Sequence, residues 1–130
     1  MNKPSVFISY EHSDEERDWV RRFAKSLDAQ GVATWLDIAE LRPGDDLRPA
    51  MEKALRTSDA IVLVLRRDAV GSPAVLFELG AALGMGKRLI PIIPRDLDPS
   101  VLPQPLRSRQ YLLKDSPEET AATLASGLAA

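Results

Sequence analysis

The chain has 130 residues, enough for one domain with a hydrophobic core of its own. Hydrophobic residues make up 45% and charged residues 28%, and the formal net charge of -2 leaves no electrostatic footprint for nucleic acid or an anionic membrane. With no cysteine and a single histidine, His12, a disulfide framework, a thiolate nucleophile, a sulfur-ligated metal and a Ser-His-Asp triad on any other histidine are excluded.

Ser5 to Tyr10, SVFISY, reads as a first strand, short and rich in β-branched and aromatic residues. Ser13 and Glu16 have capping-box spacing, and Asp14, Glu15 and Glu16 suit the positive end of a helix dipole. Trp19, Val20, Phe23, Ala24 and Leu27 follow at helical spacing, and Gly31 stands where a left-handed residue ends a helix. Val32 to Asp37 is a half-polar second strand, expected near a sheet edge, with Trp35 expected in the core. Ile38 to Asp46 is a loop turned by Pro43 and Gly44. Leu47, Met51, Ala54 and Leu55 mark a second helix. Ala60 to Leu65, AIVLVL, is a wholly apolar third strand. Ser72 caps a further helix with Pro73 at its first position, and Gly84 and Gly86 end it. Arg88 to Ile93 is a fourth strand. Four prolines, Pro94, Pro99, Pro103 and Pro105, then forbid a long regular element. Gln110 to Leu113 is a short fifth strand, and Ser116 to Glu119 open a last helix ending near Leu128.

Strict alternation of strands and helices predicts a parallel sheet covered by helices on both faces. The two wholly apolar strands belong in its middle. The expected fold is a flavodoxin-like three-layer α/β sandwich, five strands in the order 2-1-3-4-5, with its switch point between the first and third strands. Ligands bind outside the carboxyl ends of such strands. Ser9 and Tyr10 end the first strand there, and the helix from Ser72 to Gly86 begins there.

That helix is almost wholly apolar and holds one carboxylate, Glu78, among Val75, Leu76, Phe77, Leu79, Ala81, Ala82 and Leu83. An ionised carboxylate is costly to bury without a partner. Glu78 therefore either points out of the packed face or sits at the rim of a site. No GxGxxG follows the first strand and there is no P-loop. A phosphorelay receiver also fails, because Glu11 alone follows the first strand and Leu65-Arg66 ends the third. No apolar run reaches the roughly 20 residues that span a bilayer and no secretory signal opens the chain, so a cytoplasmic location without membrane partners is expected.

Taken in order, VFISY (Val6 to Tyr10), WLD (Trp35 to Asp37), LRPGD (Leu41 to Asp45), SDAIVLVL (Ser58 to Leu65), SPxxxxE (Ser72 to Glu78) and LIPII (Leu89 to Ile93) resemble a Toll/interleukin receptor (TIR) domain. ELGAALGMGK gives the bacterial type. The resemblance implies a single TIR domain over residues 1–130 and two possible functions. One is NAD glycohydrolase activity, cleaving the nicotinamide–ribose bond on self-assembly, in bacterial immune signalling, with linear or cyclic ADP-ribose or a base-exchanged dinucleotide as product. The other is a non-catalytic module that scaffolds a signalling complex through contacts with other TIR domains. A nucleoside deoxyribosyltransferase-like enzyme shares the fold type and a Glu nucleophile, but LRPGD belongs to the TIR pattern.

In the enzymes of this family the catalytic residue is a Glu in the helix after the third strand, and Glu78 matches it. NAD is then a substrate, with no cofactor and no metal. Ser9, Tyr10, Asp37, Arg42 and Ser72 would bind the substrate, with Arg42 on a phosphate. Leu41, Pro43, Gly44 and Asp45 resemble the loop that joins neighbouring TIR domains. Ser72 serves equally as a helix cap, and Pro43-Gly44 as a plain tight turn. Ala74 stands where the family often has a tryptophan, and Glu11 and His12 where some members have basic residues.

Overall fold

A computed structural model describes residues 3–10, 14–36, 56–66, 86, 88–102 and 111–129. Its first element is strand β1 (Ser5–Tyr10), followed by helix α1 (Asp14–Ala29) and strand β2 (Ala33–Leu36). Strands β3 (Ala60–Val64) and β4 (Arg88–Ile93) come next, then a 3-10 turn (Pro99–Val101), strand β5 (Leu112–Leu113) and helix α2 (Pro117–Ala129). All pairings are parallel and the strand order is β2-β1-β3-β4-β5, the expected winding. β1 and β4 have the bounds that their apolar runs predict. β5 pairs Leu112 with Ile92 and Leu113 with Ile93, and Tyr111 precedes it; Gln110, where the expected strand began, lies outside the described residues.

Strand alternation divides the sheet into two faces. On one, Val6, Ile8, Ala60, Val62, Val64, Ile90 and Ile92 pack against Val20, Phe23 and Leu27 of α1 and Ala121 and Leu124 of α2. On the other, Phe7, Ile61, Leu63, Leu89 and Ile93 are each no more than 3% exposed. A sheet buried on both faces is the reason its central strands are apolar throughout. Both described helices lie on the first face. Arg56 and Thr57 are helical, and the rest of the second predicted helix and the helix from Ser72 lie outside the described residues.

Local sequence explains the helix ends. At the end of α1, Val32 N–H donates to the Leu27 carbonyl at 2.9 Å and Gly31 N–H to that of Asp28 at 3.1 Å. This is a Schellman motif, with Gly31 at φ +84° in the left-handed region and Val32 and Leu27 buried together. α2 starts on Ser116, whose hydroxyl accepts the Glu119 N–H at 3.1 Å, with Pro117 at the first helical position. Ser13, the expected cap of α1, lies outside the described residues.

Trp35 departs from the expected core position and is 47% exposed. The physical reason is its strand. Among the described residues β2 is the outermost strand, paired with β1 on one side, which leaves a bulky side chain there with strand neighbours on one flank.

Candidate functional site

The strand order places the switch point between β1 and β3, whose neighbours run outward in opposite directions. In register, Ser9 pairs with Leu63 and Tyr10 with Val64, so the carboxyl ends of the two strands finish level. Ser9 is 6% exposed, and a hydroxyl that buried needs a hydrogen-bond partner. Tyr10 is half-buried at the rim of the core under α1 and α2. The pleat sends these two neighbours to opposite faces: Tyr10 to the helical face just described, Ser9 to the face of Phe7 and Leu63. Neither lacks a partner.

Asp37, Arg42, Ser72 and Glu78 lie outside the described residues, as do Leu41, Pro43, Gly44 and Asp45.

Beside this edge stands a polar cluster that the sequence did not suggest. Lys114, just past β5, donates from Nζ to both carboxylate oxygens of Glu16 in the first turn of α1, at 3.0 and 3.2 Å. Glu16 is 8% exposed, and its cation is what makes that burial affordable. The same ammonium lies 5.0 Å from the centre of the Trp19 ring, a cation–π contact. Trp19 in turn stacks on Phe23, with centroids 5.0 Å apart, and donates its indole N–H to the Asp115 carbonyl at 3.0 Å. Asp115 N–H donates to Thr120 Oγ1 of α2 at 3.0 Å. Arg95, past the end of β4, donates through Nε and Nη2 to the two Asp115 carboxylate oxygens, both at 2.7 Å. The Arg95 hydrogen bonds hold the Asp115 carboxyl below its ordinary range. The cluster joins residues about a hundred positions apart, so only their charge and amphipathic placement were legible beforehand.

Among the described residues no three of His, Cys, Asp and Glu come together as a metal site. Among them also no helix is long and apolar enough to cross a membrane.

Comparison with known proteins agrees with this architecture. A family model described as a TIR domain matches residues 6–125. The chain is 36% identical over 74 residues to the 2' cyclic ADP-D-ribose synthase AbTIR of Acinetobacter baumannii, a match covering 57% of this chain and 27% of that protein. It is 40% identical over 60 residues to the NAD(+) hydrolase PdTIR of Paracoccus denitrificans, covering 46% of this chain and 20% of that protein. The match thus spans about a quarter of the length of these two relatives. Among solved structures, the TIR domain of the Toll-related receptor TRR-2 from Hydra magnipapillata superposes with a TM-score of 0.62 at 25% identity, covering 83% of this chain and 82% of that one. Strand order, switch point and a family match over nearly the whole sequence lead to one conclusion: the chain belongs to the TIR domain family.

Proposed function

We propose that this TIR domain is an NAD glycohydrolase with Glu78 as its catalytic carboxylate. The observation that carries the reading is the company the sequence keeps: relatives at 36% and 40% identity are named for making a cyclic ADP-ribose and for hydrolysing NAD. Glu78 falls within the matched span and is the one carboxylate in an apolar segment that otherwise has no use for it.

The chemistry suits a single acid. Ordinary glycosidases need a second carboxyl group to protonate the leaving oxygen. Nicotinamide leaves from a pyridinium that already carries positive charge, so its bond to ribose breaks with the electron pair neutralising the ring. The demand on the protein is to hold the ribose and to stabilise the oxocarbenium-like transition state. A carboxylate near the anomeric carbon or the ribose hydroxyls does this best where water is excluded. Ser9 and Tyr10 at the end of β1, with Asp37, Arg42 and Ser72, complete the proposed pocket. The loop of Leu41, Pro43, Gly44 and Asp45 is assigned to contact with a second TIR domain. Bacterial immune signalling in the cytoplasm is the setting that fits this activity.

The test is direct. The concentrated domain is incubated with NAD and free nicotinamide is measured. Its release, with ADP-ribose in linear or cyclic form, supports the reading. Absence of nicotinamide at every protein concentration overturns it in favour of a scaffold that works by homotypic contact.

A further inference from the structure

We propose that Arg66 is the residue that holds the pyrophosphate of the dinucleotide at the switch point; this rests on the NAD-cleaving reading above and deepens it. Its place follows from the strand register. β1 and β3 finish level, with Tyr10 beside Val64. Past them the chain continues as Glu11 and His12 after β1, and as Leu65 and Arg66 after β3. Leu65 N–H still donates to the Ile92 carbonyl of β4 at 2.9 Å, so the backbone is tied to the sheet up to the residue before Arg66. Every side chain from Ala60 to Leu65 is at most 3% exposed. Half-buried Arg66 is the first along this path to reach solvent, and it follows directly on the strand that flanks Tyr10.

Among the described residues, cations follow three strands at this edge: Arg66 after β3, Arg95 after β4 and Lys114 after β5. Of these strands only β3 borders the crevice with β1, since β4 and β5 lie outward of it. The Arg95 guanidinium is engaged by both carboxylate oxygens of Asp115, and the Lys114 ammonium by both of Glu16. Arg66 has an interaction of its own within the protein. A guanidinium presents a planar fork of N–H donors, enough for a protein partner and a phosphate together. NAD carries negative charge on both phosphates, away from the bond that breaks. A contact there contributes binding energy that orients the nicotinamide ribose without touching the reacting atoms. Arg42, the other cation assigned to a phosphate, belongs to the LRPGD loop. Arg66 is carried by the sheet, and groups on strands hold their geometry more closely than groups on loops.

The experiment measures NAD kinetics and thermal melts in wild type, Arg66→Met and Arg66→Lys. Arg66→Met removes the charge and should raise KM for NAD about tenfold, with kcat and melting temperature little changed. Arg66→Lys keeps a point charge without the fork and should fall between the two. An unchanged KM in Arg66→Met overturns the proposal. So does a loss of kcat together with melting temperature in both variants, which marks a structural ion pair. If the wild-type chain releases no nicotinamide, the NAD-cleaving reading has failed by itself, and calorimetric binding of ADP-ribose and of adenosine decides the phosphate site. Wild type should then bind ADP-ribose about tenfold more tightly than Arg66→Met does, with adenosine bound alike by both. No binding of ADP-ribose to wild type, or equal affinity in the two proteins, overturns it.

Discussion

Arg95 meets Asp115 through two parallel hydrogen bonds, Nε to Oδ1 and Nη2 to Oδ2, each 2.7 Å long. The fork of donors matches the two carboxylate oxygens and ties the segment after β4 to the segment before α2. The pairing lowers the Asp115 pKa in the folded chain, chiefly through the Arg95 hydrogen bonds. A carboxyl group with a depressed folded pKa binds fewer protons folded than unfolded. Its stabilisation is therefore present above the unfolded value of about 3.9 and is lost as pH falls through the folded pKa. Asp115→Asn should melt below wild type at pH 7, with the gap closing as pH falls below about 4. Both side chains keep substantial exposure, so added salt should narrow the gap too. Asp98 is also lowered, by the Ser100 N–H, so part of the wild-type acid slope should persist in the variant. Thermal melts from pH 7 to pH 2 check this; a gap that is constant across the series contradicts it.

Gly31 supplies a second test, of the backbone alone. Its φ is +84°, and a Cβ built there meets nothing within 4 Å. Gly31→Ala therefore adds no clash with the rest of the protein and isolates the left-handed penalty of about 1–2 kcal/mol. The restricted unfolded chain returns about 0.4–1 kcal/mol, so the net loss should be near 1 kcal/mol. Urea unfolding should show a lower midpoint at unchanged slope. Gly31→Asn, which tolerates this conformation better, should lose less.

Glu78→Gln should abolish nicotinamide release while the melting temperature hardly changes. The amide preserves shape and removes the negative charge that the proposed transition state needs. Nicotinamide assays and thermal melts on the same preparation separate the outcomes. Full turnover in the variant removes Glu78 from catalysis, and a large loss of stability assigns it a structural role.

Assembly gives the fourth prediction. A site completed by a neighbouring chain is populated by mass action, so specific activity should rise with protein concentration or crowding. Gly44→Pro fixes φ and removes an amide donor in the LRPGD loop. It should cut activity without touching Glu78 or the core. A dilution series of both proteins provides the measurement. A flat line for wild type with equal activity in Gly44→Pro would reduce the loop to a turn and leave the whole site to one chain.

Much of the architecture was already legible along the chain. Ser5 to Tyr10 and Arg88 to Ile93 became strands with those bounds and Ala60 to Leu65 a strand as far as Val64, since a sheet buried on both faces demands apolar side chains along its central strands. Gly31, Pro117 and Ser116 ended or began helices for reasons confined to one turn of backbone. The family followed from the same motifs in order, with Glu78 as its candidate acid. The structure alone decided what depends on neighbours distant in sequence. Trp35 looked like a core residue and is half exposed: the edge position of its strand was expected, but which side chain that edge leaves uncovered depends on packing. Glu16 read as a helix-cap acid, yet its carboxylate is held by an ammonium 98 positions away. A side chain's type limits which partners it accepts, and only the packed chain brings one within 3 Å.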